Sequence, residues 1–303
     1  MTKKLAFLII LILTGKTTFP QGCSDAGFCS VGSLKHQLNS DSSNNTISVI
    51  VSNGVGDDNV FVSTWYLQYD RLIRKNYLFQ AKINGNYASG NLGSVSGPGD
   101  LLLDIVAIKK LKNLWKLSGT LGIKIPLSNS DIEINNLPLP MQYQSSLGTF
   151  DAIAGITLSN NNWIVSTGYQ HPLTTNNNNQ YDRLKFANFN IASYPPSYQL
   201  KRSADVLLKV GYNINAIKHL TISASVLSIY HLKRDEFLNT INNKYETIVG
   251  SEGLTVNVVL GAWYKKNKFS FGLITGRPFI VRDNRPDGLT RSIIVSPEIA
   301  FNF

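Results

Sequence analysis

The chain is poor in the residues that usually carry chemistry. Its 303 residues include two cysteines, two methionines and four histidines. His36, His171, His219 and His231 show no H-E-x-x-H or related spacing, and two thiols without nearby histidines do not fill a tetrahedral shell, so no metal is expected. There is no G-x-S-x-G elbow, no spaced carboxylate pair suited to acid–base work and no phosphate-cradling loop. No catalytic residue is therefore assigned and no cofactor is expected. Acidic residues are also scarce, with 19 Asp and Glu against 29 Lys and Arg, a net charge of +10. Beyond the amino terminus no apolar run reaches the roughly 20 residues that a membrane-spanning helix needs. Any membrane crossing must be made by strands.

What the chain has instead is alternation. At its carboxyl end Ile293, Val295, Pro297, Ile299, Phe301 and Phe303 fall on one parity, while Ile294, Ser296, Glu298, Ala300 and Asn302 fall on the other. Successive side chains of a strand point to opposite faces, so this segment has one oily face and one mostly polar face. The rhythm recurs back to about residue 45. Val206, Leu208, Val210, Tyr212 and Ile214 oppose Asp205, Lys209, Gly211 and Asn213, and Leu254, Val256, Val258, Leu260, Ala262 and Tyr264 oppose Thr255, Asn257 and Gly261. About twelve such strands can be placed, each near the length a tilted strand needs to cross the hydrocarbon. Interleaved oily and polar residues also cancel in the average, which explains a mean hydropathy of −0.04. The prediction is an all-β, antiparallel, up-and-down transmembrane β-barrel over 45–303 in a Gram-negative outer membrane.

The amino terminus fits export. Lys3 and Lys4 precede the short apolar run Leu5–Leu13, and residues 1–22 read as a signal peptide. Residues 23–44 form a polar lead-in bearing Cys23 and Cys29. In an exported chain that pair favours a small disulfide loop, with lipidation of Cys23 as the alternative. An exported protein rarely meets nucleic acid, so the positive charge does not imply a nucleic-acid partner. Expected partners are outer-membrane lipid, the barrel-assembly machinery and a small-molecule solute; the oligomeric state is left open.

Connections alternate in predicted length. Short turns fall at 71–76, 110–113, 159–162, 215–218 and 265–267, and long loops at 89–99, 126–146, 172–202, 232–253 and 282–291. That is the pattern of tight periplasmic turns and longer outer loops. The short turns are rich in cations, among them Arg71, Arg74, Lys75, Lys110, Lys112, Lys218, Lys265, Lys266 and Lys268. Lipid phosphates or plain solubility both account for them. Two loop segments stand out. Thr174–Tyr181, TTNNNNQY, reads as flexible and outward-facing. Leu137–Met141, LPLPM, either folds into the barrel mouth or packs on other loops.

Parity assigns Lys82, Asp100, Asp104, Lys116, Lys124, Asp151, Asp205, Lys209 and Glu298 to the lumen. A charge on the lipid face at the midplane costs about 2–4 kcal/mol, and facing inward removes that cost. Asp104 with Lys116 and Asp100 with Lys124 are the predicted ion pairs. These charges either fill a narrow interior or line a solute path. Phe301 and Phe303 are assigned to the terminal assembly signal, since IAFNF resembles the C-terminal signal of outer-membrane barrels.

The segment Gly97–Lys110, GPGDLLLDIVAIKK, is similar to the G-x-G-D-L strand opening in barrels of the phenol-degradation meta-pathway and FadL-like hydrocarbon-uptake group. The resemblance implies passage of small, often apolar molecules across the outer membrane. The asparagine-rich, alanine-poor character resembles barrels of Bacteroidetes-type bacteria. The sequence thus points to a passive channel or transporter, with a sealed structural or adhesive surface barrel as the alternative.

Overall fold

The structure is a computed structural model describing residues 44–74, 76–183, 194–288 and 291–303. The expected signal peptide and the lead-in with Cys23 and Cys29 lie outside the described residues, Asn44 excepted. In chain order the strands are β1 (Asn45–Val55), β2 (Phe61–Ile73), β3 (Tyr77–Gly90), β4 (Gly93–Lys110), β5 (Lys116–Pro126), β6 (Glu133–Ile134), β7 (Leu137–Pro138) and β8 (Asp151–Ser159). They continue as β9 (Trp163–Pro172), β10 (Asp205–Ile217), β11 (Leu220–His231), β12 (Glu236–Asn239), β13 (Lys244–Thr247), β14 (Gly253–Lys266), β15 (Phe269–Ile280) and β16 (Ile294–Asn302). Twelve of them close into one antiparallel ring, β1-β16-β15-β14-β11-β10-β9-β8-β5-β4-β3-β2. The remaining four form two small hairpins, β6–β7 and β12–β13, inside long loops.

The period of two dictates this outcome. Leu208 is 50% exposed while its neighbours Leu207 and Lys209 are buried. Ile105 is 55% exposed and Val106 fully buried. Val49, Leu67, Leu121, Ile156, Val226, Leu273 and Ile299 also point outward and are exposed. Water would penalise such a continuous apolar belt, whereas lipid accepts it. Ring closure pairs the backbone donors and acceptors without leaving an edge, as the hydrocarbon requires. The chain is a transmembrane β-barrel of the outer-membrane type.

The seam between β1 and β16 keeps one register from Thr46↔Asn302 to Gly54↔Ile294. Pro297 has no N–H for a ladder bond, and around it the hydroxyls of Ser296 and Ser52 meet at 2.8 Å. At the short-turn end the Asn45 and Phe303 backbones exchange bonds of 3.1 and 3.0 Å, which zips the ring shut.

One predicted long loop is not a loop. Residues 89–99 continue the β3–β4 hairpin up to a turn at Asn91–Leu92, in register from Ser89↔Ser94 to Gly90↔Gly93. Small residues made this stretch look irregular. Gly93, at φ 112°, supplies the conformation that the tight turn needs, and the Ser89 and Ser94 hydroxyls meet at 2.7 Å. The long connections that remain are 127–150, 173–204, 232–252 and 281–293.

Inside, the wall is lined by small and amide side chains, with Ser48, Thr64, Gln68, Gln80, Thr120, Thr157 and Ser166 all buried. Trp263 is an inward aromatic, 7% exposed. A Cβ on Gly261 would lie 2.1 Å from its ring, and one on Gly272 would lie 2.9 Å away, so these two glycines make room for the indole.

Candidate functional site: the closed long-loop mouth

The loops at one end fold over the barrel rather than away from it. Two apolar clusters hold them. One joins Val60 and Ala88 of the rim to Leu139, Tyr143, Tyr181 and Tyr194; the other joins Met141, Leu147, Leu200 and Ile248. Leu139 and Met141 of the LPLPM segment are therefore packed among loops. Gln144 braces the same loop, donating to the Leu139 carbonyl at 2.8 Å and accepting from the Ile132 N–H at 2.9 Å.

The asparagine run divides between two roles, with Asn178 exposed as an outward loop predicts and its two neighbours turned inward. Asn177 and Asn179 are buried, not outward and free. Asn179 donates to the carbonyls of Ser130 and Leu139 at 2.9 and 3.0 Å and accepts from the Ser197 hydroxyl at 2.8 Å. Asn177 donates to the Leu147 carbonyl at 3.2 Å. Loop backbone that is buried without a ladder needs side-chain partners, and a short amide with both donor and acceptor supplies them. Polarity alone made the run look solvated.

Beneath this cap lies a buried charge network that ties three of the long connections to the rim. Lys124 of β5 meets Asp151 of β8 at 3.1 Å. Arg202 touches Asp151 at 3.9 Å, Asp287 at 3.5 Å, and Asp205 at the start of β10. His231, at the end of β11, places Nδ1 2.6 Å from Asp205 and Nε2 2.7 Å from Asp235. Arg282 meets Asp287 at 2.9 Å and Asp235 at 4.0 Å, and donates to the Ser251 carbonyl at 2.6 Å. The Ser203 N–H donates to Asp235 at 2.8 Å.

The network is balanced in one state only. Lys124, Arg202 and Arg282 face four carboxylates, those of Asp151, Asp205, Asp235 and Asp287. An imidazole with a carboxylate oxygen at each nitrogen satisfies both only as the imidazolium, and His231 then supplies the fourth positive charge. Burial by itself would raise the Asp287 carboxyl, but the guanidiniums of Arg282 and Arg202 hold it well below the usual carboxylate range. Burial would likewise lower Arg202, yet Asp205 and Asp287 together raise it further above its ordinary value.

The site residues assigned by parity distribute as follows. Lys82, Asp100, Asp104, Lys124, Asp151, Asp205 and Lys209 are buried in the interior, and Glu298 is half-buried on the inward parity. Lys116 shares the inward parity but is exposed at the opposite rim, opposite Lys110. Of the two predicted pairs, Asp104–Lys116 does not form, and in the other the Lys124 charge acts on Asp100 without a close ion pair. Asp104 stands opposite Gly122, well along the strand from Lys116. Lys124 closes on Asp151, while Asp100 accepts from the Ser146 hydroxyl of the cap at 2.6 Å. Hairpin proximity had suggested neighbours along one turn, but the register and the next strand decide the partner. Sequence reasoning also missed Arg202, Asp235, Arg282, Asp287 and Arg291. They come from separate loops with no shared motif; only the i, i+4 spacing of His231 and Asp235 hinted at a contact.

Between cap and wall is a cavity of about 40 Å³, lined by Tyr66, Asn84, Asp100, Gln142, Gln144, Asp287 and Arg291 among others. Arg291 is part of that lining and donates to Thr64 at 2.7 Å. Lys82 lies 4.0 Å above the Tyr66 ring. Several buried amide atoms have no hydrogen-bond partner among the described residues: both polar atoms of Asn257, both of Gln142, and Oε1 of Gln80 and of Gln170.

The chain matches no protein-family profile and no curated protein. Solved barrels with similar shape include the NanC porin, 8% identical with a TM-score of 0.48, covering 85% of this chain and 98% of that one. Another is the CymD monoaromatic hydrocarbon channel, 10% identical with a TM-score of 0.46 and 94% of both chains covered. A third is outer membrane phospholipase A from Escherichia coli, 10% identical with a TM-score of 0.41, covering 84% and 96%.

Proposed function

We propose that this barrel is a passive outer-membrane channel for small polar solutes, closed in this state by a charge-tethered loop cap. The observation that carries the reading is the set of amide atoms inside the wall and cavity that no described residue satisfies. Buried polar groups almost always find a partner in protein or water. An interior built only to be sealed gains nothing from leaving amides open, whereas a wetted path uses them. The FadL-like resemblance suggests apolar cargo; the serine, threonine and amide lining favours polar cargo.

The second reading, a sealed surface scaffold, is favoured by the small cavity, which has room for about one or two waters. Planar-bilayer recording separates the two. The wild-type barrel and Asp287→Asn, which weakens the tether, are compared at equal protein load. A channel gives low wild-type conductance that rises when the tether is weakened. Silence in both proteins, and in a variant with residues 281–293 shortened, would establish the scaffold reading instead.

A further inference from the structure

We propose that the short-turn end carries a binding site for an anionic phospholipid of the facing leaflet, formed by the β10–β11 and β14–β15 turns above outward aromatics. The Lys265 N–H donates to the His219 carbonyl at 2.9 Å and holds the two turns together. Lys218, Lys266 and Lys268 are exposed there, and Lys265 is half-exposed. No Asp or Glu occurs in residues 215–220 or 262–272. Arg202 and Arg282 of the opposite end are buried against carboxylates; these lysines are presented to solvent.

The lipid-facing side directly beside them is aromatic. The rings of Phe269 and Phe301 lie 5.1 Å apart, and those of Phe269 and Phe271 lie 6.5 Å apart. All three are exposed. Tyr264 is exposed as well and meets the His219 ring edge-on at 6.4 Å. Lys268 links the two layers, its Nζ 5.9 Å from the Phe301 ring. An ammonium layer stacked on an aromatic layer at the membrane boundary matches a phospholipid end to end, phosphate against lysine and acyl chain against ring. A soluble anionic polymer would use the lysines but not the outward rings.

Native mass spectrometry of the full chain, equilibrated with phosphatidylglycerol or phosphatidylcholine, tests the site. Phosphatidylglycerol is expected to be retained preferentially, and less so as salt rises. In the triple variant Lys265→Gln/Lys266→Gln/Lys268→Gln its retention should fall at least about tenfold. Lys109→Gln/Lys110→Gln/Lys112→Gln, at the β4–β5 turn, should leave it unchanged. Equal retention of the two lipids by the wild type overturns the proposal without any variant. So does unchanged retention in the folded triple variant, checked by heat-modifiability on gels, or loss of retention in both triple variants alike.

Discussion

The two ends of the barrel spend their charges in opposite ways. At the long-loop end Lys124, Arg202 and Arg282 are buried and closed on carboxylates. At the short-turn end Arg71, Lys110, Lys218 and Lys266 stand exposed. The long-loop connections carry acids in near balance with their cations, while the short turns carry cations and no acid of their own. A buried ion pair adds little net stability over apolar packing, but removing one partner strands the other in a medium that cannot solvate it. The long-loop end is therefore a structure whose parts depend on each other. The short-turn end is a surface whose charges act independently and are screened by salt.

The comparison is broken most severely at Asp287. Asp287→Ala removes the carboxylate shared by Arg202 and Arg282, and should cost the cap about 3–5 kcal/mol. Limited proteolysis should then cut within 281–293, where the wild type resists. Next is the seam. Deleting Phe303 removes its backbone exchange with Asn45 and the ring stacked on Phe301 at 5.8 Å. The folded fraction inserted in membranes should fall several-fold, more than for Asp104→Asn; normal insertion without Phe303 would reject this role.

Acid sharpens the comparison with a smaller effect. The folded Asp287 pKa lies below its unfolded value because Arg282 and Arg202 outweigh burial. Its stabilisation is thus present above the unfolded value of about 3.9 and is lost only as pH falls through the lower folded value. The cap should stay protease-resistant from pH 8 to about pH 4 and loosen in stronger acid. Loosening as the pH is raised would instead point to loss of the His231 imidazolium. Asp57 shifts the other way, since burial raises it despite Arg285. Mild acid therefore favours rather than weakens the fold at that loop. The smallest effect belongs to the short-turn end, where Lys110→Gln should change thermal stability by no more than about 0.5 kcal/mol.

Much of the barrel was legible because its signal is local. A period of two is written residue by residue, and the alternating runs Val206–Ile214 and Leu254–Tyr264 lie wholly inside the barrel strands β10 and β14. The reading failed where composition stood in for context. Ser89–Gly99 looked like a loop because small residues hide alternation, and Asn177 and Asn179 looked solvated because amides are polar. Asp104 was assigned to Lys116 because a turn fixes which strands are adjacent, but the register fixes which residues meet and sets Asp104 opposite Gly122.

By itself the sequence determined the alternation, hence the lipid-facing belt, the ring and the sidedness of turns and loops, since each depends on neighbours along the chain. Only the tertiary structure decided that the long loops turn inward and that Arg202, His231, Arg282 and Asp287 converge beneath them. Those contacts join residues brought together by ring closure. Their energy depends on burial, which no single segment possesses before the barrel has formed.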